Sequence, residues 1–167
     1  PSTLANRFQI SETDRILEIG PGSCYFSVEL AHRVRAGRLE LFDLQPEMLA
    51  KARRKLVKKG IENVGYTVGN ASERLPFPDA HFDIAVLVTV LREVPDKGVC
   101  LTEISRVLRP AGVVVFHEQL PDNLMWFAEL CPLVEQAGFV LDRRSGPSWN
   151  YMATFRKPLE PTVYHAR

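Results

Sequence analysis

A chain of 167 residues with 46% hydrophobic and 25% charged residues is long enough for one domain with a full core, and its balance is ordinary for a soluble globular protein. A net charge of +1 gives no electrostatic argument for nucleic acid or an acidic partner, and the longest apolar run, Ile84–Leu91, is too short to span a bilayer. The first residues carry no signal-peptide pattern, and Cys24, Cys100 and Cys131 form no CxxC, which argues against a disulfide framework or a metal site and suits a reducing, cytoplasmic setting.

In chain order, residues 1–14 are weakly patterned and read as a short N-terminal segment. Arg15–Ile19 has Ile and Leu on both faces, as a buried parallel strand does. Gly20-Pro21-Gly22 breaks that run. Phe26, Leu30, Ala31 and Val34 then take up helical spacing, predicting a helix over 24–35 ended by Ala36-Gly37. Strand, glycine turn and helix together open a nucleotide-binding βαβ unit, although a dinucleotide fingerprint wants a third glycine where Cys24 and Tyr25 stand.

Arg38–Phe42 is a second strand, stopping at Asp43. Pro46 opens a helix to about Lys59 with Met48, Leu49, Ala52 and Leu56 inward, and Gly60 as its cap. Asn63–Gly69 is a third strand, followed by Asn70-Ala71-Ser72 and a loop with two prolines over 75–79. Phe82–Val90 reads as a central strand covered on both sides. Asp96 caps a helix to about Leu108, and Val113–Phe116 is a fifth strand ending in His117-Glu118. A helix from Asp122 through Ala137-Gly138, then strands over Phe139–Arg144 and Asn150–Phe155, complete the pattern before a tail over 158–167.

Five alternations followed by two strands predict a Rossmann-like, doubly wound α/β fold. Its seven-stranded sheet is mostly parallel, with an antiparallel strand in the closing pair at one edge. Ligands in such sheets bind outside the carboxyl ends of the strands. Gly20, Asp43, Asn70, Thr89, His117 and Glu118 all fall on that edge.

Five segments in order resemble the class I S-adenosylmethionine-dependent methyltransferases. They are LEIGPG (17–22), LFDLQPEML (41–49), GNASERLPFPDAHFD (69–83), REVPD (92–96) and EISRVLRPAGVVV (103–115). Their details are similar to the ubiquinone/menaquinone-biosynthesis-like, type-11 branch. The resemblance covers 15–157 and implies methyl transfer from S-adenosylmethionine to a small-molecule acceptor by positioning and desolvation, without a metal.

It also implies roles. Gly20 and Gly22 would let backbone approach the methionine part of the cofactor, and Glu18 would lie near its amino group. Asp43 would accept the ribose hydroxyls, Leu44 and Met48 would flank the adenine, and Asn70 with the Ala71 amide would bond its edge. Val88 and Thr89 would lie under the sulfonium. Cys24, at the third glycine position, is expected to place a Cβ against the cofactor. The short N-terminal segment is expected to leave the pocket open, or covered by a second copy or a capping partner.

His117, with Glu118 beside it, reads as the candidate base or as a structural histidine at a strand end, and Arg92 with Glu93 as facing the acceptor or as a surface salt pair. Trp149, Asn150 and Tyr151 read as acceptor lining or as packing, and His32, His81 and His165 as solvent-facing. The basic helix residues Lys51, Arg53, Arg54, Lys55, Lys58 and Lys59 have no interleaved aromatics and read as a solvated face rather than a nucleic-acid surface. Two other functions fit parts of the pattern: a non-catalytic cofactor-binding scaffold, and a nicotinamide-dependent oxidoreductase whose ribose acid would be Asp43.

Overall fold

The computed structural model describes residues 8–159. Residues 1–7 of the N-terminal segment and 160–167 of the tail, His165 among them, lie outside it. The elements are β1 (Arg15–Ile19), α1 (Tyr25–Arg33), β2 (Arg38–Asp43), α2 (Pro46–Val57), β3 (Val64–Val68), β4 (Phe82–Val88), α3 (Lys97–Val107), β5 (Leu108–Gln119), α4 (Phe127–Gln136), β6 (Val140–Ser145) and β7 (Asn150–Arg156). A single 3-10 turn, Leu91–Glu93, follows β4.

The sheet has seven strands in the order β3-β2-β1-β4-β5-β7-β6. β1 to β5 pair in parallel, while β7 runs antiparallel to both β5 and β6. The predicted doubly wound, mostly parallel sheet is therefore present. The closing strands add a refinement. β7 inserts between β5 and β6, so the antiparallel strand lies one position inside the edge. The strand order reverses at β1, whose neighbours β2 and β4 carry the chain to opposite sides, and this is where a crevice forms.

Two apolar layers cover the sheet. Leu30, Ala31, Leu49, Ala52 and Leu56 of α1 and α2 bury against Ile16, Leu39, Leu41, Ile84 and Val86. Leu101, Ile104, Leu130 and Val134 of α3 and α4 bury against Leu17, Ile19, Ala85, Leu87 and Phe116. Central strands covered this way are hydrophobic at consecutive positions, and each fully buried Leu or Ile contributes about 2 kcal/mol.

Among the boundaries that differ from the sequence reading, three have a clear local reason. β4 stops at Val88 because Thr89 takes a left-handed backbone, with φ +50°, and turns the chain across the strand end. β5 begins at Leu108 rather than Val113. Its first residue pairs with Phe82, and 109–112 bulge out before regular pairing resumes at Val113. α4 starts at Phe127 rather than Asp122, because 120–126 is a loop held by side chains from elsewhere in the fold.

Candidate functional site

The strand ends open onto a cleft with two lobes. The first, about 310 Å³, lies over β1, β2 and β3 and is lined by Asp43, Leu44, Gln45, Met48, Asn70 and Ala71, with Gly20 and Gly22 at its inner end. The second, about 770 Å³, lies over β4 and β5 beside the start of α1. Gly20, Gly22, Val90 and Glu93 line both, so the lobes are continuous.

The glycine turn joins them. Gly20 has φ +65°, and a Cβ there would come within 2.6 Å of Val90 Cγ2. Gly22 also has a left-handed backbone, and beyond its Cα there is open space within 4 Å. Lys55 of α2 donates from Nζ to the Ser23 carbonyl at 2.7 Å and the Cys24 carbonyl at 3.3 Å, fixing the turn from the side. Glu18 is only 2% exposed, its Oε2 meets no hydrogen-bond partner among the described residues, and it lines the second lobe. Burial pushes its carboxyl up to about 7, with the Ser27 hydroxyl pulling the other way. A buried carboxylate with an unmet oxygen is a ready partner for a cation entering the cleft.

In the first lobe, Asp43 Oδ1 accepts from the Gln45 amide at 2.8 Å, which aims the carboxylate across the strand end. Asn70 Oδ1 accepts from the Ser72 amide at 2.9 Å and its Nδ2 donates to Glu73 at 3.2 Å. The loop that carries Asn70 is tied to α3. Arg106 donates to the carbonyls of Leu75 and Phe77, both at 2.9 Å, and Glu103 accepts from the Leu75 amide at 2.9 Å. The Arg106 guanidinium holds the Glu103 carboxyl below its ordinary value. Leu44 is 64% exposed at the lobe's rim, an apolar side chain placed where a flat ligand would cover it.

The second lobe has Val88, Thr89 and Glu18 at its base, Tyr25 and Phe26 on the α1 side, and Gln119, Asp122 and Asn123 on the far side. The Tyr25 and Phe26 rings meet edge to face at 5.1 Å. The structure thus brings Glu18, Gly20, Gly22, Asp43, Leu44, Met48, Asn70, Ala71, Val88 and Thr89 to one continuous cleft.

It does not bring His117, Glu118 or Arg92 to that lining. His117 is 7% exposed, two residues below Gln119 on the same sheet face. It lies under the Phe26 ring at 5.4 Å and its Nε2 contacts Asn150 Oδ1 at 3.1 Å. Glu118 points to the opposite face, fully buried, and its Oε2 accepts from the Met125 amide at 2.8 Å. Burial pushes its carboxyl up to about 7, offset partly by the Met125 amide and by Arg92. Arg92 donates from Nε to the Leu124 carbonyl at 3.0 Å and pairs through its guanidinium with Glu129. These two side chains, with the Tyr151 hydroxyl donating to the Met125 carbonyl at 2.5 Å, clamp the end of the 120–126 loop. Glu93, beside Arg92, does line the cleft.

Cys24 departs from its expected place. Its φ of 57° turns the side chain inward, where it is 1% exposed in the apolar layer under α1 and α2, and it lines neither lobe. Burial raises its thiol, so it is not a reactive thiolate. Trp149 is exposed, Asn150 bonds His117, and Tyr151 is core. His32 is exposed, whereas His81 is half-buried and bonded to Arg15 at 2.7 Å. Lys51, Arg53, Arg54, Lys58 and Lys59 face solvent. Gln119, Asp122, Asn123 and Lys55 carry no motif that marks them in sequence; they reach the site only through tertiary packing. Among the described residues no group of three or more His, Cys, Asp or Glu is placed to hold a metal, and no helix is long and apolar enough to cross a membrane.

Comparison with known proteins follows the same outline. The family described as "Methyltransferase domain" matches residues 17–116. Among curated proteins, the ubiquinone/menaquinone biosynthesis C-methyltransferase UbiE of Shewanella sp. (strain W3-18-1) is 40% identical over 106 residues, covering 62% of this chain and 42% of that protein. The chain thus spans less than half the length of the curated relatives it matches. Among solved structures, a SAM-dependent methyltransferase from Aquifex aeolicus aligns with TM-score 0.82 at 21% identity, covering 90% of this chain and 86% of that one. The [4+2]-cyclase SpnF aligns with TM-score 0.81 at 20% identity, covering 93% and 78%. At such identities the structural likeness shows the fold alone, and a methyltransferase and a cyclase at nearly equal scores illustrate why.

Proposed function

The chain belongs to the methyltransferase-domain family, and on that premise we propose that it transfers the methyl group of S-adenosylmethionine to a small-molecule acceptor. The observation that carries this reading is the buried Glu18 carboxylate, with one oxygen unmet, facing a glycine turn that opens onto the same cleft as Asp43.

The residues fit the cofactor. Glu18 would take its ammonium, and the backbone at Gly20 and Gly22 would lie along its methionine portion. Asp43 would accept from the ribose hydroxyls, an ionised carboxylate being a strong acceptor for two donors. Leu44 and Met48 would flank the adenine, with Asn70 and Ala71 at its edge. Val88 and Thr89 would lie beneath the sulfonium at the base of the second lobe. When bound, the cofactor supplies an activated methyl group on a sulfonium, so the protein needs neither a nucleophile of its own nor a metal. The chain's contribution is positioning and exclusion of water.

In this reading Glu118 and Arg92 act as positioning residues through the 120–126 loop, and His117 supports Phe26 rather than serving as a base. The methyltransferase domain is assigned to 15–157 and the cytoplasm is its setting. The exposed Leu44 and Tyr25 at the cleft rim are what a second copy or a capping partner would cover. The UbiE name of the relatives suggests a small aromatic acceptor, but fold and family do not fix the acceptor.

Calorimetric titration with S-adenosylmethionine tests the first step. Binding at micromolar ligand, weakened at least thirtyfold in Asp43→Ala, is expected, since each bond to a charged acceptor contributes about 1.5–3 kcal/mol. Absence of binding at millimolar ligand would sink the reading. Cofactor binding with no labelled methyl passed to any acceptor in cell extract would instead favour a non-catalytic scaffold. Tighter binding of a nicotinamide dinucleotide would favour an oxidoreductase.

A further inference from the structure

We propose that the acceptor is an amine carried on an apolar or aromatic body, held as its ammonium in the second lobe. This rests on the methyl-transfer reading and goes beyond it by naming the class of acceptor. The lobe is about 770 Å³, large enough for a small molecule beside the cofactor. Its side chains are one-sided in charge. Glu18, Glu93 and Asp122 line it, and among the described residues no Lys, Arg or His does. Arg92, the nearest cation in sequence, is taken up by the Leu124 carbonyl and Glu129. Once Glu18 is assigned to the cofactor's ammonium, Glu93 and Asp122 remain for the acceptor.

Asp122 engages Gln119 Nε2 through Oδ2 at 3.2 Å, which orients the carboxylate without neutralising it. On the other wall Tyr25, 67% exposed, stands edge to face with Phe26. Aromatic faces and carboxylates together select organic cations, because both attract positive charge while the rings also accept an apolar body. An anionic acceptor would meet like charge from both carboxylates, offset among the described groups only by the cofactor's own sulfonium. A neutral acceptor would gain nothing from either charge, since Glu93 and Asp122 are exposed and already solvated.

The chemistry balances. The bound ammonium gives one proton to solvent by way of Asp122 or Glu93. The freed nitrogen lone pair forms the N–C bond. The methyl–sulfur bond breaks with its electron pair left on sulfur as a neutral thioether, and the product leaves as a methylammonium. The charge of the acceptor is the same before and after, so the same carboxylates hold both.

Three probes of one shape separate the possibilities: phenethylamine, 2-phenylethanol and 3-phenylpropionate, titrated calorimetrically into protein saturated with S-adenosylhomocysteine. The amine is expected to bind at least tenfold more tightly than the acid, about 1.4 kcal/mol, with the alcohol between. Asp122→Lys should reverse the order of amine and acid while the affinity for S-adenosylhomocysteine, read in the same instrument, reports an intact site. Equal or tighter binding of the alcohol or the acid overturns the proposal and leaves methyl transfer standing. An unchanged order in the Asp122→Lys protein does the same. Failure of S-adenosylhomocysteine itself to bind removes the methyl-transfer reading, and the amine with it.

Discussion

On the cofactor side of the cleft, Gly20, Asp43 and Asn70 stand at or just past the ends of β1, β2 and β3, and neighbouring backbone aims them: the glycine turn itself, the Gln45 amide and the Ser72 amide. On the acceptor side, Asp122 and Asn123 stand on a loop whose far end is fixed by Glu118 of β5, Arg92 after β4 and Tyr151 of β7. One half is built from short-range geometry at the ends of parallel strands; the other is assembled from residues far apart in the chain. The first kind of site tolerates little change at its own residues. The second should be adjustable, because distant side chains set where the loop rests.

The hardest test of the rigid half is Gly20→Ala. The residue has φ +65°, and its Cβ would lie 2.6 Å from Val90. The left-handed backbone alone costs a non-glycine residue about 1–2 kcal/mol, and the clash must displace Val90, which lines both lobes. Cofactor affinity should fall at least a hundredfold by calorimetry while the circular dichroism spectrum is retained. A loss under threefold would mean the turn is not the rigid element described here.

A pH titration sharpens the same half. Glu18 in the free protein holds its proton up to about 7, and a cationic group enters best beside the ionised form. Cofactor affinity should therefore drop as pH falls below about 7, approaching tenfold per pH unit for one proton. Glu18→Gln should bind more weakly above pH 7 and show a flat profile. A flat profile in the unaltered protein would mean that the carboxylate is not the ammonium's partner.

The adjustable half is tested through Glu118. Glu118→Ala leaves the buried Met125 amide without an acceptor, at about 1–3 kcal/mol, and frees the loop that carries Asp122. The expected result is a roughly tenfold drop in kcat/KM for the acceptor, with cofactor affinity unchanged. Glu118→Gln keeps an oxygen for the Met125 amide and should restore most of it. The carboxyl also leaves a signature in stability. It ionises near 4.5 when unfolded and about 7 when folded. Its contribution is therefore fully present below pH 4.5 and lost as pH rises to about 7, a slope that Glu118→Gln should flatten.

The same division explains what the sequence reveals. Apolar runs at period one marked β1 and β4 as doubly covered, and residues at the strand ends pointed to Gly20, Asp43 and Asn70, because a parallel strand's end is a local event. His117, Glu118 and Arg92 were legible as polar residues at the right edge, but not in their orientation. Alternation along β5 sends Glu118 to the face opposite Gln119 and places His117 one layer beneath it. The register that decides this depends on the bulge at 109–112. Asp122 read as a helix start because Asp often caps helices. Only the long-range clamp on 124–126 shows that 120–126 is a loop.

Cys24 gives the smallest expected effect and the most discriminating one. Its position in the motif suggests contact with the cofactor, whereas its φ of 57° and 1% exposure put the thiol in the core. Cys24→Gly relieves about 1–2 kcal/mol of left-handed strain and gives up a comparable amount by removing a small buried side chain. The two nearly cancel, so thermal stability should move by no more than a few degrees in either direction. Cofactor affinity should stay within twofold, because the side chain that disappears faces the opposite way from Gly22. A tenfold change in affinity, with stability unchanged, would show that the turn transmits packing under α1 into the cleft. The short-range half of the site would then be less local than its geometry implies.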